Sequence, residues 1–214
     1  MDFLELIVVS DKVYKFLNKN KIKSNYLPAY VPPKISCRSS LETKYILFAV
    51  YKATRQNLID IYGFDMVMKL VKKISHKYKM LFLVGNKSES DLEFLEATIE
   101  EYQNVENIEL IFNQRITDFL PKVDCLVRPN RRDGYGVSLQ EALEFGVIPL
   151  ASDVCRRPKG TLTFKNDSFD DFYNKFQVID KMTLDEKNRI LSNKEDLNYH
   201  LQLIEIYKSH LLGE

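Results

Sequence analysis

The stretch RRDGYGVSLQEALEFGVIPLAS, residues 131–152, contains residue types that could bind a ligand. Asp133 and Glu141 are carboxylates eight positions apart, and Gly134 and Gly136 follow closely after the first of them. Glycine lets a backbone turn sharply and approach a ligand without a Cβ atom in the way. The helix that follows begins with N–H groups that have no partner inside the helix, and such groups suit a phosphate. The pattern therefore predicts amides that bind a phosphate and carboxylates that bind neutral hydroxyls, such as those of a ribose.

The same residues also have a purely structural interpretation. Ser138 and Glu141 fit the S-x-x-E capping box, in which the glutamate only binds the amide at the start of the helix. Gly146 would then end the helix, and Asp133 would be an ordinary turn residue. Because glycine-bearing turns between a strand and a helix are common, the residues alone favour this interpretation over a binding site.

Six short apolar runs alternate with segments of helical periodicity from residue 45 onwards. The runs span residues 45–50, 80–85, 107–113, 124–129, 147–152 and 161–166, and the first two helices are predicted at about 64–77 and 89–103. Continuous apolar character is typical of strands that are covered on both faces. The alternation predicts an α/β fold, a Rossmann-like, doubly wound parallel sheet of about six strands. Ligands bind outside the carboxyl ends of the strands in such a sheet, where the loop 130–137 must lie.

The two ends of the chain do not belong to this repetition. Residues 1–35 hold a strand, a helix from about Asp11 to Asn20 and a Pro-containing linker, so we interpret them as the tail of a preceding domain. Residues 36–195 form the Rossmann-like domain, and 196–214 form a C-terminal helix that carries Leu197, Leu201, Ile204 and Leu211. Both ends are suited to a neighbouring domain, although packing on the back of their own domain fits the periodicity equally well.

The composition is that of an ordinary soluble protein of 214 residues, 45% hydrophobic and 29% charged. A net charge of +1 argues against a general nucleic-acid binder, and no apolar run reaches the roughly 20 residues of a membrane span. Cys37, Cys125 and Cys155 are scattered and odd in number, so neither a disulfide framework nor a zinc site is predicted. The three histidines likewise lack metal-ligand spacing. A reducing, cytoplasmic setting fits this cysteine usage.

Residues 124–160 resemble the donor-site segment of the retaining glycosyltransferases of family 4, also called group 1. In that family an acidic residue, a glycine turn and a glutamate eight positions later belong to a segment that continues with Ala-Leu, a glycine, a proline and the pair Ala-Ser. The matching positions here are Asp133, Gly134, Gly136, Glu141, Ala142, Leu143, Gly146, Pro149, Ala151 and Ser152. The flanking segments R-P and DV-x-x-RP-x-G are similar to the branch that builds bacterial capsule and O-antigen polysaccharides. Looser similarity extends over nearly the whole chain.

This resemblance implies one half of a GT-B fold, the half that holds the nucleotide-sugar. Glu141 would bind the donor ribose, and Asp133 would contact the sugar or orient the loop. The backbone around 114–116 would meet the base. The loop that would hold the diphosphate comprises Gly134, Tyr135, Gly136, Val137 and Ser138.

The basic residues depart from the family pattern. The arginine and lysine that normally neutralise the diphosphate are not in register, and Lys52 and Arg55 are their nearest substitutes, followed by Arg131 and Arg132. A second basic cluster, Arg156, Arg157 and Lys159, is predicted near the same edge of the sheet. Each of these side chains is also compatible with an ordinary solvated surface charge.

The resemblance therefore implies a hexosyltransferase of cell-surface polysaccharide synthesis, with a UDP-sugar type of donor and no metal or cofactor. Its acceptor, a glycan or lipid-linked saccharide, would be held by an N-terminal domain or a separate subunit. The protein would be cytoplasmic, at the inner face of the membrane if it associates with membranes at all. Some 35 residues cannot form an acceptor domain, so we expect the isolated chain to transfer little or no sugar. Two alternatives are a nucleotide-sugar epimerase half-domain and a catalytically inactive partner subunit.

Overall fold

The computed structural model describes residues 6–27, 44–74, 76–86, 89–101, 107–194 and 199–212. The strands are β1 Leu6–Val8, β2 Ser24–Tyr26, β3 Tyr45–Lys52, β4 Lys79–Asn86, β5 Ile108–Phe112, β6 Cys125–Arg128, β7 Ile148–Ser152 and β8 Leu162–Phe164. The α-helices are α1 Asp11–Lys19, α2 Phe64–Ile74, α3 Glu89–Glu101, α4 Val137–Glu144, α5 Phe169–Lys181, α6 Leu184–Ser192 and α7 Tyr199–Leu212. A turn of π-helix, Asn57–Ile61, precedes α2, and two 3₁₀ turns, Ile116–Asp118 and Leu120–Lys122, precede β6.

The main sheet has six parallel strands in the order β5-β4-β3-β6-β7-β8. All six predicted strands are present, and the Rossmann-like fold is confirmed. The chain first builds outward from β3 through β4 to β5, and then returns to place β6 on the other side of β3. This reversal creates a crevice at the carboxyl ends of β3 and β6, which is where ligands bind in open α/β sheets.

Two apolar layers hold the sheet between its helices. Phe48 points into the layer that contains α2 and α5, while its neighbour Leu47 points into the layer that contains α4. Both side chains are fully buried. The central strands therefore need apolar residues at every position, which explains why they read as continuous apolar runs and not as alternating ones.

A second, two-stranded parallel sheet lies at the amino-terminal end. Residues 6–8 pair with 24–26, and α1 connects them. The strand and the helix were expected, but the second strand, β2, was not predicted. The sequence SNY has no apolar periodicity, and its pairing with β1 is decided by tertiary contact. The domain boundary at 35/36 lies outside the described residues, as does the boundary at 195/196.

The C-terminal helix α7 is attached through its first turn. Tyr199 is 6% exposed, whereas Leu201, Ile204 and Tyr207 are 47%, 44% and 58% exposed. Leu197 and the side chain of Leu211 lie outside the described part of the chain. Across the described segments, no helix combines the length and apolar character needed to cross a membrane.

Candidate functional site

The candidate site lies at the carboxyl edge of the sheet, at the crevice between β3 and β6. Lys52 ends β3, and Arg128 ends β6 and leads into the loop 129–136. The topology therefore places the DGYG loop at the position where the fold favours a ligand.

Gly136 sets the geometry of the turn into α4. It is the residue before the first helical turn and has a left-handed backbone, with φ 81° and ψ 67°. A Cβ atom there would lie 2.9 Å from Leu139 Cδ1 and 3.2 Å from Arg157 Nη1. Only glycine suits this position, because both the backbone conformation and the close neighbours disfavour a side chain.

The capping-box interpretation of Ser138 and Glu141 is contradicted. Ser138 is the second residue of α4, so its side chain cannot cap the helix, and Gly136 takes the capping position without a side-chain hydrogen bond. The Ser138 hydroxyl instead accepts from Arg128 Nη1 at 3.3 Å. Within the described part of the chain, the amides of Gly136, Val137 and Ser138 donate no hydrogen bond. The helix therefore presents free N–H donors at the carboxyl edge of the sheet.

Glu141 is the fifth residue of α4, just past the first turn, and is half-buried. Its carboxylate makes no hydrogen bond or ion pair with any described residue, and burial raises the pKa of the carboxyl. A desolvated carboxylate without a partner destabilises the free protein. Such an arrangement is typical of a group whose partner is a ligand.

Asp133 has the opposite environment. Its carboxylate accepts from Arg128 Nε at 2.6 Å and Nη2 at 2.8 Å, from Arg157 Nη1 at 2.5 Å and from the Gly134 amide at 2.9 Å. Burial alone would raise the pKa of this carboxyl, but the hydrogen bonds and charges of Arg128 and Arg157 hold the pKa below its usual value of 3.8. These four donors occupy the lone pairs of a carboxylate. Of the two predicted roles, orientation of the loop fits this geometry better than contact with a sugar.

The basic cluster after β7 is partly buried beneath the loop. The Arg157 side chain is 3% exposed, and it also donates to the Ser152 carbonyl at 2.8 Å and to the Ser152 hydroxyl at 3.1 Å. It is therefore not a surface charge. Arg156 and Lys159 are exposed, and the Arg156 guanidinium lies 5.6 Å from the ring centroid of Tyr26. Arg128 was absent from the predicted site, although an arginine at a strand end five residues before an aspartate was a usable signal.

The four predicted substitute cations differ in their availability. Lys52 and Arg55 are exposed at the carboxyl edge and pair with no described side chain, and Arg132 is likewise exposed. Arg131 is not available, because it pairs with Asp65 at 2.7 Å and Asp167 at 2.8 Å. Its role is to attach the loop to α2 and to the segment before α5.

Tyr135, the aromatic residue of the loop, turns away from solvent. Its side chain is 7% exposed and packs edge-on against Tyr199 of α7, with ring centroids 6.3 Å apart. The two hydroxyls are 3.0 Å apart, with Tyr199 donating. A contribution of Tyr135 to ligand binding would therefore come from its backbone.

In the described part of the chain, the cysteines and potential metal ligands do not form a second site. Cys125 is buried in β6, and burial raises the pKa of its thiol. Cys155 donates a hydrogen bond to the Gly134 carbonyl. Both thiols are free, and Cys37 lies outside the described residues. Over the residues with defined positions, no group of three His, Cys, Asp or Glu side chains could hold a metal ion.

Comparison with known proteins agrees with this fold. A model of the glycosyl transferases group 1 family matches residues 50–193. No curated protein matches the chain in sequence. The solved structure of sucrose-phosphate synthase from Thermosynechococcus elongatus is similar with a TM-score of 0.75 at 13% identity, over 98% of this chain and 59% of that one. HepE from Anabaena, solved with UDP and glucose, gives a TM-score of 0.72 at 9% identity, over 95% of this chain and 62% of that one.

A third similar structure is WaaG, a glycosyltransferase involved in lipopolysaccharide biosynthesis, with a TM-score of 0.65 at 14% identity, over 88% of this chain and 56% of that one. At these identities the structural similarity establishes the fold alone. The chain thus spans between 56% and 62% of the length of these three structures. The family match covers most of the chain and includes the DGYG loop, Glu141 and the whole crevice. The protein is a member of the glycosyl transferases group 1 family.

Proposed function

We propose that this chain is the donor-binding half of a retaining glycosyltransferase that uses a nucleotide-diphosphate sugar. The observation that carries the proposal is Glu141, a half-buried carboxylate that has no partner among the described residues. It lies just past the first turn of α4, a helix whose leading amides donate no hydrogen bond within the described part of the chain. In the proposed complex the amides of Gly136, Val137 and Ser138 bind the diphosphate, and Glu141 accepts hydrogen bonds from the ribose hydroxyls. Lys52 and Arg55 stand at the same edge as additional cations.

The similar structures support a uridine nucleotide and a cell-surface product. HepE was solved with UDP and glucose, and WaaG is described as acting in lipopolysaccharide biosynthesis. We therefore propose a UDP-hexose donor and a role in the synthesis of capsule, O-antigen or a related polysaccharide. We propose the cytoplasm as the corresponding location, at the inner face of the membrane if the acceptor is lipid-linked.

The acceptor is proposed to bind on a facing domain or subunit. Among the described residues, the sheet formed by β1 and β2 has two parallel strands, and a parallel sheet of that size is not stable without further strands or a covering layer. Three apolar residues on or next to α1, Val9, Val13 and Phe16, are 52%, 46% and 63% exposed, as expected of a surface that meets a neighbour. We expect the chain alone to bind nucleoside diphosphate and to transfer little or no sugar. Transfer at the full rate by the isolated chain would overturn the assignment of a separate acceptor half.

Calorimetric titration with UDP, GDP and ADP tests the donor site and identifies the base. We expect heat with one of these nucleotides, and a loss of affinity of about tenfold or more for Glu141→Ala, since a hydrogen bond to a charged group contributes about 1.5–3 kcal/mol. Glu96→Ala is the matched control, because Glu96 is an exposed helical glutamate on α3 without a described partner. Absence of heat with all three nucleotides would support an inactive partner subunit instead. Conversion of a UDP-sugar without an acceptor would indicate an epimerase.

A further inference from the structure

We propose that Arg128 is the cation that neutralises the donor diphosphate, and that Asp133 is a positioning residue that holds Arg128 for this purpose. The inference rests on the proposed function of the same site and assigns a residue that the family pattern of carboxylates and glycines does not include. It also assigns Asp133 to the protein side of the site, so that Asp133 orients a ligand-binding group and does not itself touch the sugar.

The position of Arg128 is the first argument. It is the last residue of β6, on one side of the crevice between β3 and β6. Its Nη1 atom lies 3.3 Å from the hydroxyl of Ser138, the residue whose amide is free at the start of α4. A phosphate that accepts hydrogen bonds from the leading amides of α4 would therefore lie close to this guanidinium.

The hydrogen-bonding capacity of Arg128 is the second argument. A guanidinium has five N–H donors in a fixed fork. The Asp133 carboxylate uses one donor of Nε at 2.6 Å and one of Nη2 at 2.8 Å, in a bidentate pair. This pair fixes the plane of the guanidinium and leaves Nη1 directed towards the start of α4. Asp133 in turn has no acceptor left for a sugar hydroxyl, because Arg157 and the Gly134 amide occupy its remaining lone pairs.

The charge of the cluster is the third argument. Arg128, Asp133 and Arg157 have side chains that are 20%, 7% and 3% exposed. Two guanidinium groups and one carboxylate leave one positive charge in excess, and no other described carboxylate makes an ion pair with either arginine. An uncompensated charge that is largely withdrawn from water is costly, and an anion bound beside it removes that cost. Lys52 and Arg55 are exposed, so water and salt screen their charges more strongly.

The experiment compares binding of UMP and UDP by the chain and its variants, by calorimetry at low and moderate salt. For Arg128→Gln we expect UDP affinity to fall about 10–100-fold, as for loss of a charge-assisted contact, while UMP affinity falls much less. The dependence of UDP binding on salt should weaken in the same variant. Arg189→Gln is the matched control, because Arg189 is an exposed arginine of α6 that belongs neither to the loop nor to the strands of the crevice. The Lys52→Gln and Arg55→Gln variants should each reduce UDP affinity less than Arg128→Gln.

Two further variants separate binding from folding. Arg128→Lys keeps the positive charge without the bidentate fork, so its UDP affinity should lie between those of the wild type and Arg128→Gln. The double variant Arg128→Gln with Asp133→Asn removes one charge of each sign, and it should remain folded by thermal denaturation yet bind UDP poorly. Unchanged UDP affinity in folded Arg128→Gln, or an equal loss for UMP and UDP, would overturn the inference and leave the donor site intact. A wild-type chain that binds neither nucleotide would overturn the proposed function as well.

Discussion

At the scale of single residues, two carboxylates eight positions apart have opposite environments. Asp133 is surrounded by protein donors that keep it ionised, whereas Glu141 is desolvated and has no partner in the described part of the chain. The first is therefore part of the framework of the loop, and the second is left for a ligand. The linear pattern treats the pair as equivalent, but the tertiary contacts assign them different functions.

Replacing Glu141 should stabilise the free protein and weaken its binding of nucleotide. Burial raises the folded-state pKa of this carboxyl above the usual 4.5, so ionised Glu141 destabilises the fold at neutral pH. For Glu141→Gln we expect an increase in Tm of about 1–2 °C at pH 7. The increase should shrink as the pH falls through the folded-state pKa and vanish below 4.5. Thermal denaturation at several pH values measures this, and a Tm at pH 7 below that of the wild type would contradict it.

Replacing Asp133 should have the opposite effect on stability. Its folded-state pKa lies below 3.8, so the ionised carboxylate stabilises the fold at neutral pH, and this stabilisation is lost as the pH falls below 3.8 through the folded-state pKa. For Asp133→Asn we expect the free energy of unfolding to fall by about 3 kcal/mol at pH 7, because two arginines lose their shared counter-charge. Urea denaturation between pH 7 and pH 3 should show that the difference in the free energy of unfolding between the wild type and Asp133→Asn becomes smaller in acid. A difference that stays constant with pH would argue against the ion-pair explanation.

At the scale of elements, the loop 129–136 and helix α4 form one unit. The left-handed Gly136 starts the helix, Arg157 reaches from the segment after β7 to Asp133, and Arg131 attaches the loop to α2. The turn that carries the free amides is therefore held in place by the backbone of Gly136 and by the ion pairs of Arg157 and Arg131. Preorganised donors of this kind bind a phosphate without first having to become ordered.

The two glycines of the loop should respond differently to the same substitution. Gly136→Ala forces an L-residue into a left-handed conformation and places a Cβ atom 2.9 Å from Leu139 Cδ1, so we expect a loss of about 1–2 kcal/mol. A Cβ atom at Gly134 would have no heavy atom within 4 Å, and the φ of Gly134 is not positive. The Gly134 variant should stay within about 0.5 kcal/mol of the wild type. Chemical denaturation measures the free energy of unfolding of both variants. Equal losses in the two variants would contradict the conclusion that the turn into α4 requires glycine at position 136.

At the scale of the whole molecule, a Rossmann-like domain is accompanied by a small two-stranded parallel sheet formed by β1 and β2. Tyr199 of α7 reaches Tyr135 in the DGYG loop, and Leu27 and Tyr26 of the amino-terminal unit pack around the same pair. The DGYG loop is therefore in contact with the elements that are proposed to lead to the acceptor half. A conformational change at this junction would therefore shift the loop through its contacts with Tyr135.

Hydrogen exchange should show this division of stability. The amides of β3, β4 and β6 lie in the centre of a six-stranded sheet and should exchange only by global unfolding. The amides of β1 and β2 belong to a two-stranded parallel sheet and should exchange faster by orders of magnitude in the isolated chain. Mass spectrometry of peptides from both regions measures the ratio of their exchange rates. Equal protection of the two sheets would show that the amino-terminal unit is stable without a neighbour.

Much of the fold could be predicted because its determinants are local. The continuous apolar runs identify the six strands, and the helical periods between them imply a parallel sheet. Boundaries were less accurate: α2 ends at Ile74, three residues before the predicted end. The predicted end of α3 at about 103 lies outside the described residues. Strand β2 was missed because a short polar segment becomes a strand only through its partner, β1.

By itself, the sequence determined the sheet, the edge at which the loop lies and the identity of the two carboxylates, since periodicity and spacing carry that information. Only the tertiary structure decided that Gly136 caps α4 and that Glu141 has no partner among the residues with described positions. It also decided that Arg157, 24 residues further along the chain, shares Asp133 with Arg128. These contacts join segments that meet only after β6, α4 and β7 have packed, and no local pattern in the chain encodes such a meeting.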